Sequence, residues 1–182
     1  MRGLVLAILC LAGVSAWAGE VLRGEVGRDG DAYTMDFELR IAEHAAQVLP
    51  ILADYRRFTE LNDSVKESTR LGVGPAGERI RTVTNACVLF FCKEIVQITD
   101  IRSEGEDGML AAIVPGESSF KSGWTRWRVV DEPDAVRLHL EARLVPDFWV
   151  PPLVGPWAIQ YKLRSEALET LANLERLAHA GH

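Results

Sequence analysis

Two stretches of the chain alternate strictly between apolar and polar positions. Residues 33 to 41 place Tyr33, Met35, Phe37, Leu39 and Ile41 on one side and Thr34, Asp36, Glu38 and Arg40 on the other. Residues 136 to 144 repeat the pattern, with Val136, Leu138, Leu140, Ala142 and Leu144 against Arg137, His139, Glu141 and Arg143. A period of two sends successive side chains to opposite faces, so each stretch predicts a strand with one face in a core and the other in water. The two are expected to be neighbours or near neighbours in one antiparallel sheet. Weaker strand patterns lie between them at 64–73, 78–87, 93–102, 108–114 and 121–130. They are separated by the turn-forming runs Gly74-Pro75-Ala76-Gly77, Glu104-Gly105-Glu106-Asp107-Gly108 and Glu132-Pro133-Asp134. Seven strands are predicted.

The period changes twice. Over 43–61, Ala46, Val48, Leu49, Leu52 and Ala53, then Tyr55, Phe58 and Leu61, fit two short helices broken near Asp54, with Pro50 weakening the first. After Gly155, Pro156 is pre-set for a first helical turn, and Ile159, Leu163, Ala167, Leu171, Leu174 and Leu177 recur at steps of three and four. From Pro156 to Ala178 such a helix runs about 34 Å at roughly 1.5 Å per residue, enough to cross a whole sheet.

The amino terminus sets the expected compartment. Arg2 precedes the apolar run Leu4 to Leu11, and Ala16-Trp17-Ala18 supplies a small-x-small cleavage site, so residues 1–18 read as a signal peptide that is removed. Its apolar core is shorter than the roughly 20 residues of a membrane span. A soluble, exported and periplasmic protein is expected. Cys10 follows Leu9 where a lipoprotein signal wants a small residue, so no lipid anchor is expected. Cys87 and Cys92 then remain as the two cysteines of an oxidising compartment, which favours a disulfide over a metal site or a thiol nucleophile. Closing so short a loop contributes about 2 kcal/mol, so its expected purpose is to fix the shape of the apolar tip Val88-Leu89-Phe90-Phe91. Residues 19–30 read as a short N-terminal extension, 31–178 as one domain and 179–182 as a tail.

Charge and candidate chemistry narrow the function classes. The chain carries 20 Lys plus Arg against 26 Asp plus Glu, and without a basic face nucleic acid is not an expected partner. His139 falls on the polar face of its strand, His179 and His182 lie at the carboxyl end, and His44 sits at a helix start where a cap is the default. With no His-x-x-x-His, no Cys-His-Asp grouping and no Gly-rich phosphate loop, no catalytic residue, metal ligand or cofactor is assigned.

The order strand, two short helices, six strands, long helix resembles the helix-grip fold of the START-like or SRPBCC superfamily, which includes polyketide cyclases, lipid carriers and coenzyme Q-binding proteins. The residues that carry the resemblance are Asp54-Tyr55-x-x-Phe58-x-x-Leu61-Asn62, the strand with Trp124 and Trp127, and Pro146-Asp147-Phe148-Trp149-Val150-Pro151-Pro152. The last looks like the mark of a bacterial exported subgroup. The resemblance spans 31–178 and implies an α+β fold, a curved antiparallel sheet wrapped around the C-terminal helix and enclosing a cavity for a hydrophobic ligand. It implies no reaction, because the fold hosts carriers and enzymes alike.

In an antiparallel meander every second connection falls at the same end of the sheet. One end is therefore expected to gather Phe58 and Leu61, the Cys87–Cys92 tip with Leu89, Phe90 and Phe91, the 115–121 loop with Phe120, and the 146–157 link with Phe148, Trp149 and Trp157. The resemblance makes this aromatic rim the cavity mouth. For Trp149 and Trp157 packing in the core is an equal alternative. Thr82 and Thr84 on one strand and Trp127 on another are inward candidates, suited to a ligand chamber or to an ordinary tapered core. The expected function is a monomeric exported carrier of a lipid, quinone or sterol-like molecule, whose rim makes transient membrane contact. The alternatives are a cyclase- or dehydratase-type enzyme using the same cavity, and an interaction module with a filled interior.

Overall fold

The structure is a computed structural model that describes residues 19–152 and 154–180. Its strands are β1 (Glu20–Asp29), β2 (Ala32–Ile41), β3 (Val65–Gly74), β4 (Gly77–Val88), β5 (Phe91–Ser103), β6 (Gly108–Ile113), β7 (Phe120–Glu132) and β8 (Ala135–Pro146). They form one antiparallel sheet in the order β1-β2-β8-β7-β6-β5-β4-β3. The helices are α1 (Ala45–Ala53), α2 (Phe58–Leu61), which follows a single 3-10 turn at Tyr55–Arg57, and α3 (Pro156–Ala180). The two strictly alternating segments are adjacent strands, with Phe37 opposite Leu140 and Ile41 opposite Val136. The break between the first helices falls at Asp54, whose carboxylate accepts the Arg56 N–H at 3.3 Å and so starts the next turn.

The sheet has eight strands, not seven. Residues 19–30, read from sequence as an extension, supply the extra one, which pairs with β2 from Glu20 opposite Arg40 to Asp29 opposite Ala32. Two physical facts hide it. A bulge between Val21 and Arg23 shifts the register by one residue, which breaks the period-two signal. Gly24, which looks like linker composition, lies against the Phe37 ring, where an added Cβ would sit 2.8 Å from Phe37 Cε1. The glycine marks close packing.

Helix and sheet bury one main core between them. Phe37, Leu39 and Ile41 of β2, Val136 and Leu138 of β8, and Val48 and Ile51 of α1 meet Leu171, Leu174 and Leu177 of α3. Glu175 ties the helix to the end of β2 by accepting the Ala42 N–H at 3.1 Å. This packing occupies the C-terminal half of α3. Ile159, Leu163 and Ala167 in the N-terminal half are only partly buried, and that difference opens the site. No described helix is long and apolar enough to cross a membrane. Residues 1–18, read from sequence as a signal peptide, and with them Cys10, lie outside the described residues.

Candidate ligand cavity and its rim

Register along the β4–β5 hairpin builds one wall of a cavity. Thr84 opposes Ile95, Ala86 opposes Lys93 and Val88 opposes Phe91, and all six residues point to the same face. Phe120 of β7, Leu144 of β8, Phe148 and Val154 of the link, and Ile159, Lys162 and Glu166 of α3 complete an open cavity of about 220 Å³. That volume exceeds the roughly 150 Å³ that holds benzene in an apolar cavity and falls below the roughly 300–1,000 Å³ of drug-sized sites. The remainder of the sheet–helix interior is filled by the main core.

The lining is mostly apolar, and its polar members are few. Glu166 projects from α3 with its side chain 16% exposed, and its Oε1 accepts a hydrogen bond from Ser64 Oγ at 2.7 Å and pairs with Lys162 at 3.2 Å. Thr84 and Gln97 reach the cavity from the sheet. Lys93 lies at the opening, its Nζ 5.4 Å from the centre of the Phe148 ring, which itself meets Phe120 edge-on at 6.1 Å.

The tip is a two-residue turn closed by the Cys87–Cys92 disulfide, with a Cα–Cα distance of 4.0 Å. The clamp divides the four apolar residues into two pairs. Val88 and Phe91 line the cavity, while Leu89 and Phe90 stand 60% and 73% exposed. Leu89 adopts φ +56°, a left-handed conformation costly for a branched side chain. Beyond Asn85, whose N–H reaches Ser64 O, and Val96, whose carbonyl accepts from Ser119, the hairpin makes no lateral backbone hydrogen bond among the described residues. It projects from the sheet as a two-stranded ribbon.

The sequence-derived site residues fall into three groups. Thr84, Phe91, Phe120 and Phe148 line the cavity. Leu89, Phe90, Trp149 and Trp157 are exposed, the two tryptophans at 71% and 64%, so these tryptophans are not core residues. Phe58, Leu61, Thr82 and Trp127 do not line it. Phe58 packs edge-on against Tyr55, Leu61 is buried with α3, and Trp127 packs on the main core. Thr82 is opposite Gln97 on the inward phase of β4, but only Gln97 of the pair lines the cavity. The shared reason is that α1, α2 and the lower half of α3 fill the part of the interior they face. Sequence reasoning did not single out Tyr33, Met35, Gln97 or Glu166 as lining residues. The odd-numbered phase of β5 carries Lys93, Ile95 and Gln97, and its charged member disguised it as a solvent face. Lys162 and Glu166, one turn apart beside Ile159 and Leu163, were the available signal on α3.

Other polar groups serve the outer face. Arg79 holds Asp100 through two bonds of 2.7 and 3.0 Å, and the guanidinium keeps that 7%-exposed carboxylate below its ordinary pKa. Asp36, His139 and Glu141 cluster on the convex side, where Arg23 lies 2.6 Å from Asp36 and Arg126 lies 3.8 Å from Glu141. His179 reaches Glu43, a buried carboxylate, at 2.6 Å, a role its terminal position did not indicate.

Against solved structures the arrangement has many counterparts. A START superfamily protein from Mycobacterium smegmatis aligns at TM-score 0.61 and 21% identity, covering 82% of this chain and 99% of the other. The chain has the START-like helix-grip fold. The Zhui aromatase/cyclase from Streptomyces sp. R1128 aligns at TM-score 0.61 and 12% identity over 81% and 94% of the two chains. A STAR-related lipid transfer protein fragment from Xanthomonas axonopodis aligns at 0.56 and 15% over 86% and 98%. No family model and no curated protein sequence matches the chain.

Proposed function

We propose that this START-like protein binds a hydrophobic small molecule or lipid in the cavity and exchanges it at a membrane surface, as an exported, monomeric protein. The observation that carries the reading is the coincidence of an apolar cavity with an exposed apolar rim. Phe91 and Phe148 line the opening, while Leu89, Phe90, Trp149, Trp157 and Tyr161 belong to the tip, the link and the start of α3 around it. Aromatic side chains with a polar edge suit the bilayer interface, and apolar ones beside them gain by entering it. A lipid-transfer protein and a START superfamily protein among the structural neighbours support the ligand class. The export reading rests on residues 1–18. The monomer reading rests on edge strand β3, which carries charged residues and two bulges that discourage pairing.

A second reading, a cyclase-type enzyme, has a specific observation in its favour: the Glu166 carboxylate faces the cavity, as a proton-handling group would. The similarity to an aromatase/cyclase adds to it. A filled interaction module is less favoured, because the cavity is open. Native mass spectrometry of the protein from its exported fraction, with lipid extraction and fluorescent-lipid uptake, tests the first reading. A co-purifying apolar molecule is expected; absence of any, with no lipid uptake, refutes it.

A further inference from the structure

Gly19, just ahead of β1, stands against a carboxylate. A Cβ added to it would lie 2.7 Å from Glu175 Oε1 and 3.1 Å from the Arg40 carbonyl oxygen, so no larger residue fits there without displacing the Glu175 side chain. The Gly19 nitrogen is bonded to the same Cα as that added Cβ, which puts it within about 5 Å of Oε1.

Glu175 itself lacks a cation. Its described hydrogen bond is to the neutral Ala42 N–H, and no Lys, Arg or His pairs with it among the described residues. The cationic side chains around it are engaged elsewhere: Arg176 bonds Asn173 at 3.4 Å, His179 reaches Glu43, and Arg40 approaches Glu132 at 3.8 Å. The carboxylate is also part-buried and belongs to the last two turns of α3, where the free carbonyls of the helix end disfavour negative charge and favour positive charge.

The sequence supplies a cation at this point. Ala16-Trp17-Ala18 ends immediately before Gly19, and a small-x-small site is cut after its last residue. Hydrolysis adds water across the Ala18–Gly19 peptide bond, leaving a carboxylate on Ala18 and an α-amine on Gly19. With an ordinary pKa of roughly 7.7–8.0, that amine is mostly an ammonium at neutral pH. Resting on the export reading, we infer that removal of residues 1–18 creates the partner Glu175 lacks: the new Gly19 α-ammonium docks on its carboxylate. In the unprocessed chain the same nitrogen is a neutral amide. The pair joins β1, β2 and α3 at one side chain. It extends the ties that already hold β1 to the helix, where Gln160 donates to the Gly24 carbonyl at 2.7 Å and Arg164 to the Val21 carbonyl at 3.4 Å. Processing thereby completes the edge of the fold, and the precursor is the less stable form.

The test is a two-by-two cycle on mature protein from the exported fraction. The α-amine is left free or acetylated selectively at about pH 6.5, where lysines stay protonated. Each form is made with the natural Glu175 and with Glu175→Gln, whose amide oxygen still accepts the Ala42 N–H, so that only the charge is lost. In urea unfolding, acetylation is expected to lower the folding equilibrium constant about 5-fold with Glu175 and less than 2-fold in Glu175→Gln. Amide hydrogen exchange should quicken in β1 more than in β6, which separates a local tie from a general loss. Unchanged circular dichroism verifies folding. An equal cost of acetylation in both backgrounds, or none in either, overturns the inference. Intact mass reads the premise separately. A chain that starts at Gly19 upholds the export reading, so a flat cycle then removes only the docking; a chain that keeps residues 1–18, or starts elsewhere, removes the premise and the inference with it.

Discussion

Replacing Leu89 and Phe90 together by Ser tests whether the tip serves the fold or an external surface. With 60% and 73% of their surfaces exposed, only about a third of each side chain's possible burial energy is realised within the protein. At roughly 1.5–3 kcal/mol for full burial of each, the double substitution costs the fold about 1–2 kcal/mol as an upper bound. For a domain of this length that corresponds to a fall in Tm of roughly 2–8 °C. The exposed two-thirds is available to a bilayer and amounts to about 3 kcal/mol, or on the order of 100-fold in partitioning. Sedimentation with phosphatidylethanolamine–phosphatidylglycerol vesicles, beside thermal unfolding followed by circular dichroism, reads both quantities. A Tm loss above about 15 °C with unchanged vesicle association would show that the two residues are structural and refute the rim argument.

Three further outcomes follow from the geometry. Reducing the disulfide, or making Cys87→Ser with Cys92→Ser, should cost about 2 kcal/mol in urea unfolding and leave far-UV circular dichroism unchanged, since the bridge closes a short loop away from the core; a global loss of structure would contradict this. Asp100 is held below its ordinary pKa, first by its hydrogen bond to Arg79, so its contribution is full above its unfolded value near 3.8 and drains as pH falls through the lower folded value. Asp100→Asn should flatten urea stability against pH below about 5, and an unchanged slope would sink the assignment. Tyr55 is pushed up to about 12, mainly by burial and also by the Glu78 charge, so its contribution is complete below pH about 10 and is lost as pH rises towards 12. Tyr55→Phe should remove that alkaline loss while changing neutral stability little, because the hydroxyl's described partner is the Met109 sulfur at 3.7 Å.

How legible the sequence was depends on what each signal encodes. Strands β2 and β8 were plain because one face is core and the other water along their whole length. Strand β1 was not, because its bulge and its packing glycine leave no regular alternation. Topology brought the tip, the 115–121 loop and the link to one end, and the family resemblance made that end the mouth. It did not reveal how far the core fills the interior from the opposite end, and so it placed Phe58 and Leu61 in the site, while strand phase made Thr82 and Trp127 inward candidates without telling chamber from core. The polar lining escaped for a related reason. Glu166 and Lys162 lie four residues apart, the spacing of any surface ion pair on a helix, and only the gap left above the main core turns that face inward.

The β4–β5 ribbon has a mechanical consequence. Strand β3 begins opposite Thr84, and the lateral bonds of β5 begin at Val96, so the outer segment from Ala86 to Lys93 can tilt without breaking a backbone hydrogen bond to either neighbouring strand, at the cost of the Lys93 contact with Phe148. A hinge at 84–86 and 93–95 would widen the opening while the disulfide keeps the two strands in register. The exchange proposed above would then run at the speed of a lever, in the microsecond to millisecond range of hinge motions, and would leave the rest of the sheet at its full stability.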